Sequence, residues 1–205
     1  MVHRIRRVVT GLDRKGKSIF ISDGEAPNVM EMASMPGLAI TDLWRTGSAP
    51  ASNSGNADSA AGRIKLEPPP SGTILRIVEF PPDAAWRGTA DPKKAFASIG
   101  ASGAPDPGAS DALMHATATV DYIIVIKGEI WAILDEGEKL LKPGDILVQR
   151  GTNHSWSVRG HEPAIVVAVL VGAKPVGRLV KKKSASRSKP RRALKRKVRR
   201  GGKRR

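Results

Sequence analysis

The chain has 205 residues, of which 40% are hydrophobic and 26% charged, and its formal net charge is +16. A chain of this length favours one well-buried domain over two. It contains no cysteine, which excludes disulfides, thiolate metal sites and cysteine nucleophiles.

The positive charge is concentrated at one end of the chain. Residues 181–205 contain 15 of the 35 Lys and Arg residues and no Asp or Glu, so elsewhere 20 basic residues face 19 acidic ones. Such a segment cannot build a core, and we expect residues 176–205 to form a disordered Lys- and Arg-rich tail. Charge alone predicts nonspecific contact of residues 181–205 with a nucleic acid or another polyanion. A tail without a selected partner is the alternative.

Neither a membrane span nor a secretion signal is indicated. No apolar run approaches the roughly 20 residues that cross a bilayer. The N-terminal "MVHRIRRVVTG" lacks the apolar core and the small-residue cleavage site of a secretory signal. We therefore expect a cytoplasmic protein.

The first third of the chain predicts short strands and a long loop. Residues 6–24 contain two β-branched runs joined by a polar turn with glycine, which predicts a hairpin. Residues 37–47 predict another strand, and the Gly-, Ser- and Asn-rich residues 46–62 predict a surface loop or a disordered insert. We expect residues 1–72 to form N-terminal strands and a flexible insert that pack on a barrel.

Strand-like runs dominate the rest of the body. "GTILRIVEFPP" at 72–82 predicts a strand that ends at two prolines, and residues 99–111 predict a mobile loop. From residue 119, successive apolar runs are bounded by Gly, Pro or Asp turns. This pattern predicts an all-β sandwich or barrel, which we place at residues 73–175.

One stretch of this region carries polar residues on a single face. His115, Thr117 and Asp121 are separated by even steps, so in an extended chain their side chains point the same way. Ile123 continues that face. A second histidine, His154, lies in "QRGTNHSW".

Residues 115–158 resemble the paired motifs of the cupin superfamily. The first motif is His-x-His, three or four residues, Glu, six residues and Gly. The second is Gly, five residues, Pro-x-Gly-x-x-His, three residues and Asn, and this chain has Gln149 about where the proline would fall and Val158 in place of the asparagine. The matching positions in this chain are His115, Thr117, Asp121, Gly128, Gly144, Gly151 and His154. The resemblance implies a cupin jelly-roll β-barrel, similar to single-domain cupins found near polyketide-tailoring and aromatic-catabolic enzymes.

The resemblance also implies a metal set. In metal-binding cupins the motif histidines and the glutamate hold a divalent ion. Carried over by position, His115, Asp121 and His154 would bind Fe, Mn or Zn, with Thr117 in place of the middle histidine. Without an ion, the same three residues would act as acid, base or orienting hydrogen-bonders. A barrel whose polar residues only satisfy one another is the third alternative.

Four further residues are candidates for contact with a substrate. Thr117 and Ile123 share the face of Asp121, and alternation from His154 brings Trp156 to the same face as that histidine. Trp156 is either an aromatic wall or a core residue. Arg76 would bind a substrate carboxylate or form a salt bridge.

We expect an enzyme acting on a small carbonyl, carboxylate or aromatic compound. The chemistry would be proton transfer, decarboxylation or metal-assisted oxidation, with His115, Asp121 and His154 as catalytic residues. One alternative is a non-catalytic cupin that binds or senses a small molecule, and another is a dimeric barrel that its tail tethers to nucleic acid. We also expect a homodimer, with Tyr122 and Trp131 as core or dimer-contact residues.

Overall fold

A computed structural model describes residues 2–106, 108–109 and 111–176. Most of the predicted basic tail lies outside the described residues. Within the described ranges, no helix is long and apolar enough to cross a membrane.

Eleven strands and few helical turns make up the described chain. The strands are β1 Arg6–Leu12, β2 Ser18–Glu25, β3 Val29–Glu31, β4 Ala39–Thr46, β5 Thr73–Phe80, β6 Thr119–Lys127, β7 Ile130–Leu134, β8 Glu138–Leu141, β9 Ile146–Gln149, β10 His154–Ser157 and β11 Ala164–Gly172. A 3-10 turn, Asp83–Ala85, and one helix, α1 Pro92–Ser98, lie between β5 and β6.

The strands form two facing antiparallel sheets and a separate hairpin. The larger sheet has the order β3-β4-β5-β11-β6-β9, the smaller has the order β10-β7-β8, and β1 pairs with β2. The predicted all-β jelly-roll architecture and the N-terminal hairpin are confirmed.

The barrel core lies between the two sheets because their strands alternate apolar residues inward. In β6, Ile123 and Val125 are buried, whereas the intervening Tyr122 is 44% exposed. Ile130 of β7 and Val166 of β11 pack in the same cluster. Tyr122 is thus not a core residue, and Trp131 is partly buried on the other sheet, beneath the guanidinium of Arg159.

The N-terminal hairpin and the predicted insert are attached to the larger sheet by polar contacts. The guanidinium of Arg7 in β1 donates to the Leu43 carbonyl and to the carboxylate of Asp58. Asn28 donates to the carbonyl of Ala60, which has no exposed surface. After β4 ends at Thr46, the predicted insert contains no strand. The contacts of Asp58 and Ala60 anchor its last part.

A roof covers one end of the barrel. We use this name for residues 81–106, 108–109 and 111–114, which include α1. Asp91 caps the helix by accepting from the Lys94 amide, and Pro92 supplies its first residue. Phe96 faces inward and packs in a second apolar cluster with Met35 and Trp86.

The turn between β6 and β7 depends on Gly128. Its φ is +72°, and an added Cβ would lie 2.4 Å from the Pro163 carbonyl oxygen. We expect Gly128→Ala to lower the free energy of unfolding by about 2–3 kcal/mol, through strain at positive φ and this backbone clash.

Gly137 provides the matched control for that substitution. Its φ is +89°, yet no atom lies within 4 Å of its added Cβ. Gly137→Ala should therefore cost only about 1 kcal/mol. Urea unfolding of both variants measures the difference, and equal losses would show that contact with Pro163 is unimportant.

Candidate functional site

A cavity of about 140 Å³ lies inside the barrel beneath the roof. Its apolar wall takes residues from both core clusters, including Val166 of β11 and Phe96 of α1. The sheet supplies the floor and the helix covers part of it, so the cavity is partly open to solvent.

All seven residues predicted for the site line this one cavity. They are Arg76, His115, Thr117, Asp121, Ile123, His154 and Trp156. Alternation along the chain places His115, Thr117, Asp121 and Ile123 inward, as expected for even steps. The structure thus brings the predicted residues together, while their roles remain predictions.

His115 and His154 form a side-by-side pair although 38 residues separate them. Each donates its backbone amide to the other's carbonyl at 2.9 Å, as in an antiparallel bridge. Because directly opposite residues of such a bridge point to the same side, the two rings meet with centroids 4.4 Å apart. Phe96 packs edge-on to His115 at 4.9 Å.

Backbone carbonyls fix the same tautomer on both rings. The Nδ1–H of His115 donates to the Leu113 carbonyl at 2.8 Å, and that of His154 donates to Thr152 at 2.9 Å. In a neutral imidazole the other nitrogen is then an acceptor. Among the described residues, neither Nε2 has a hydrogen-bond partner. Both rings therefore offer the cavity a lone pair.

Burial keeps both imidazoles neutral. Loss of solvation lowers the pKa of His154 to about 3, and the nearby His115 adds to this effect. Desolvation also lowers the pKa of His115. The pair consequently accepts hydrogen bonds at neutral pH but is a weak proton acceptor.

Asp121 is the carboxyl group that titrates nearest to neutral pH in this site. Burial raises its pKa to about 6, while hydrogen bonding to Thr119 and the charge of Arg76 act in the opposite direction. Its Oδ1 is buried and has no hydrogen-bond partner among the described residues. Thr119 in turn shares a 2.6 Å hydrogen bond with the hydroxyl of Thr117.

Arg76 lines the cavity but is held from behind by Asp42. Its Nε lies 2.9 Å from the Asp42 carboxylate, and its Nη2 donates to the Lys65 carbonyl at 2.7 Å. Asp42 has no exposed surface and also binds Arg45. The salt-bridged alternative for Arg76 is therefore what the structure contains. Its Nη1 makes only a 3.5 Å contact with the Leu66 carbonyl and keeps donor capacity.

The predicted metal set is not assembled. Among the described residues, no group of three His, Cys, Asp or Glu side chains is placed to hold a metal ion. His115 and His154 are adjacent, but Asp121 does not complete a third ligand with them. Two imidazoles alone do not make the three- or four-ligand site of zinc or non-haem iron. The described residues of this cavity do not fit a resident metal.

Three residues that shape this site were not among those predicted from the sequence. Phe96 lies on a helix too short to show a periodic pattern, and Thr119 continues the inward face between Thr117 and Asp121. The even-step pattern contained Thr119 and offered the signal to find it. Asp42, which positions Arg76, is brought there by the pairing of β4 with β5 and had no local signal.

The roof is joined to the strand of His154 through Arg87. This arginine bridges Asp83 at 2.7 Å and Asp111 at 3.1 Å. The two carboxylates accept hydrogen bonds from the hydroxyls of Ser157 and Ser155, which point outward from β10. The outer side of β10 thus connects both ends of the roof.

Burial of His154 makes stability depend on pH. The unfolded imidazole takes up a proton near pH 6.5, whereas the folded one stays neutral down to about pH 3. Its contribution to stability is complete above pH 6.5 and is lost as the pH falls, by about 2 kcal/mol between pH 7 and pH 5. Asp121 acts in the opposite sense, because its raised pKa favours the folded state below about pH 6.

Urea unfolding at pH 7 and pH 5 measures this dependence. His154→Gln should lose less stability than the wild type over the same interval. His161→Gln, at an exposed position, should behave like the wild type. An identical pH dependence in wild type and His154→Gln would contradict the expectation.

No protein-family model matches the chain. Phomopsin biosynthesis cluster protein D of Diaporthe leptostromiformis is 30% identical over 178 residues, covering 83% of this chain and 79% of that protein. The cupin-domain-containing oxidoreductase srdD of Neurospora crassa is 30% identical over 183 residues, covering 85% of this chain and 79% of the relative. The solved cupin domain of Schizosaccharomyces pombe Cnp3 is 10% identical, with a TM-score of 0.39 over 82% of this chain and 88% of that domain.

Proposed function

The chain belongs to the cupin superfamily, and on this premise we propose that it is a tailoring or catabolic enzyme that transfers a proton on a small organic molecule. The molecule would occupy the cavity beneath the roof. The reaction class is proton abstraction next to a carbonyl group, followed by return of the proton elsewhere on the same molecule. Asp121 carries the proposal, because one of its oxygens is buried in an apolar cavity without a partner among the described residues.

Asp121 is suited to take up and return the proton. A general acid–base group works best when its pKa lies near the working pH. Burial brings the pKa of Asp121 to about 6, so both protonation states are populated close to neutral pH. The histidines are less suited, since the lowered pKa of His154 makes it a weak base.

Arg76 would stabilise the negative charge that proton removal creates. Removing a proton beside a carbonyl places charge on the carbonyl oxygen. The Arg76 guanidinium lines the same cavity, interacts electrostatically with Asp121 and is positioned by Asp42. A fixed cation in an apolar site stabilises a developing oxyanion more strongly than the same cation in water.

Such a reaction is redox-balanced without an external oxidant. When a hydroxycarbonyl compound isomerises, the carbon bearing the hydroxyl is oxidised and the carbonyl carbon is reduced within one molecule. The proton removed by Asp121 is returned to the neighbouring carbon, and the hydroxyl proton moves to the former carbonyl oxygen. This chemistry is compatible with relatives named oxidoreductases, one of them at 30% identity.

Hydrogen exchange in heavy water tests the proposal even while the product is unidentified. The full chain is incubated in D₂O with a panel of small ring-containing hydroxyketones and hydroxyaldehydes, and deuterium incorporation at carbon is followed by NMR. Protein-dependent incorporation into at least one compound is expected, and His161→Gln should retain it. Binding of panel members without any exchange would overturn the proposal.

Binding without catalysis is the second candidate function. The mainly apolar cavity favours it, because such a concave space binds a small ligand whether or not chemistry follows. In that case Asp121 would serve only to orient the ligand. The exchange experiment separates the two functions, since a sensor binds the compounds and leaves their carbon-bound hydrogens in place.

A further inference from the structure

Two hydrogen-bond acceptors face the cavity with no donor among the described residues to satisfy them. The Nδ1–H groups of His115 and His154 are used by Leu113 and Thr152, which leaves both Nε2 atoms as acceptors. His154 is 4% exposed and His115 is 9% exposed, so bulk water has little access to either ring. Both rings line the cavity, where a hydrogen bond from a ligand is electrostatically stronger than in bulk water.

A ligand that fits this pair must therefore bring the donor. A carboxylate or ketone oxygen offers only lone pairs and would face two further lone pairs. An ammonium group would lose its hydration and would share the cavity with the Arg76 cation. A neutral hydroxyl group is the simplest donor that avoids both penalties, because it donates one hydrogen bond and loses less on burial than a charged group.

The rest of the cavity indicates what carries the hydroxyl. Aromatic rings flank the histidine pair on two sides: Phe96 lies 4.9 Å from His115, and Trp156 lies 5.9 Å from His154. Both contacts are edge-to-face, an arrangement that aromatic groups favour. The cavity volume of about 140 Å³ is close to that of the roughly 150 Å³ engineered cavity that holds benzene. One six-membered ring fills such a space.

We propose that the cavity selects a neutral hydroxylated six-membered ring, whose hydroxyl group donates its one hydrogen bond to the Nε2 atom of either His115 or His154. This inference deepens the proposed function by naming the substrate class of the same cavity, and it rests on that function in requiring the ligand to lie there. The ring packs against Phe96 and Trp156. The hydroxyl is fixed at the histidines, while the reacting part of a larger substrate extends toward Asp121 and Arg76.

Phenol and toluene form the matched pair of probes, because they differ only in replacing a hydroxyl by a methyl group of similar size. Calorimetry on the full chain should give phenol at least a tenfold lower Kd than toluene. His154→Phe keeps a ring but removes one of the two acceptors, so this preference should weaken, and in His115→Phe combined with His154→Phe it should disappear, while His161→Phe should preserve it. Equal binding of both probes to the wild type would overturn the inference.

A second measurement covers the case in which His154→Phe does not fold. Phenol, and not toluene, should shift the ¹⁵N resonances of the His115 and His154 Nε2 atoms in the wild type. Unchanged resonances under saturating phenol would contradict the inference. So would a stoichiometric metal ion whose removal is needed before phenol binds, since the nitrogens would then be metal ligands.

The outcomes separate this inference from the proposed function. Asp121→Asn should keep the phenol preference, because Asp121 is not part of the histidine pair. A phenol preference without catalysed exchange on any compound would overturn only the proposed function. Catalysed exchange without a phenol preference would overturn only the inference about the ring.

Discussion

Asp42→Ala is expected to lower the free energy of unfolding by about 3–5 kcal/mol, because it leaves the buried Arg76 without its counter-charge. Both groups are almost completely inaccessible, with Asp42 at 0% and Arg76 at 3% exposure. Two backbone carbonyls also accept from Arg76, but they carry no full charge. Urea unfolding measures the loss, and Tm should fall by more than about 6 °C.

Two further variants test whether the buried charge causes this loss. Asp42→Ala combined with Arg76→Met should recover part of the stability, because both partners of the pair are then removed. Asp23→Ala breaks the exposed ion pair with Arg6 and should leave Tm unchanged. If the double variant were no more stable than Asp42→Ala, packing rather than charge would explain the effect.

Asp121→Asn is expected to lower the rate of catalysed hydrogen exchange by about 100- to 10,000-fold, the usual contribution of a positioned acid–base group. Asparagine keeps the size and polarity of the side chain but cannot take up the proton. The wild-type rate should increase as the pH rises through about 6, where Asp121 becomes a carboxylate. Kinetics in D₂O from pH 5 to 8 measure both effects.

Thr119→Val provides a diagnostic comparison for the pH profile. Hydrogen bonding to Thr119 lowers the pKa of Asp121, so the variant should move the rise in rate to higher pH, and Thr119→Ser should restore it. Exchange that stays at the wild-type rate in Asp121→Asn would show that another group carries the proton.

Local sequence patterns predicted much of the barrel and which side chains of one segment face the same way. Inward and outward alternation is a property of any extended strand, so His115, Thr117 and Asp121 were expected on one face. Gly128 was expected at a turn because it bounds an apolar run, and its φ of +72° agrees. These features depend on residues close together in sequence, and local patterns are therefore enough to predict them.

Contacts between distant segments could not be predicted in the same way. The roof covers the cavity because α1 packs on Met35 and Trp86, and seven residues are too few to display a helical period. The partnership of Arg76 with Asp42 arises from strand register between β4 and β5. Whether Asp121 can join the two histidines as a third metal ligand depends on distances between side chains, which the spacing of residues along the sequence does not specify.

The reciprocal backbone hydrogen bonds between His115 and His154 couple the two rings mechanically. The two backbones can separate only by breaking both 2.9 Å hydrogen bonds, so the bridge fixes the relative position of the two rings. Phe96 of α1 touches the His115 ring, whereas the carbonyl of Leu113 at the end of the roof orients that ring. If α1 moved away to let a ligand enter, the backbone bridge would therefore keep the two Nε2 acceptors at their present spacing.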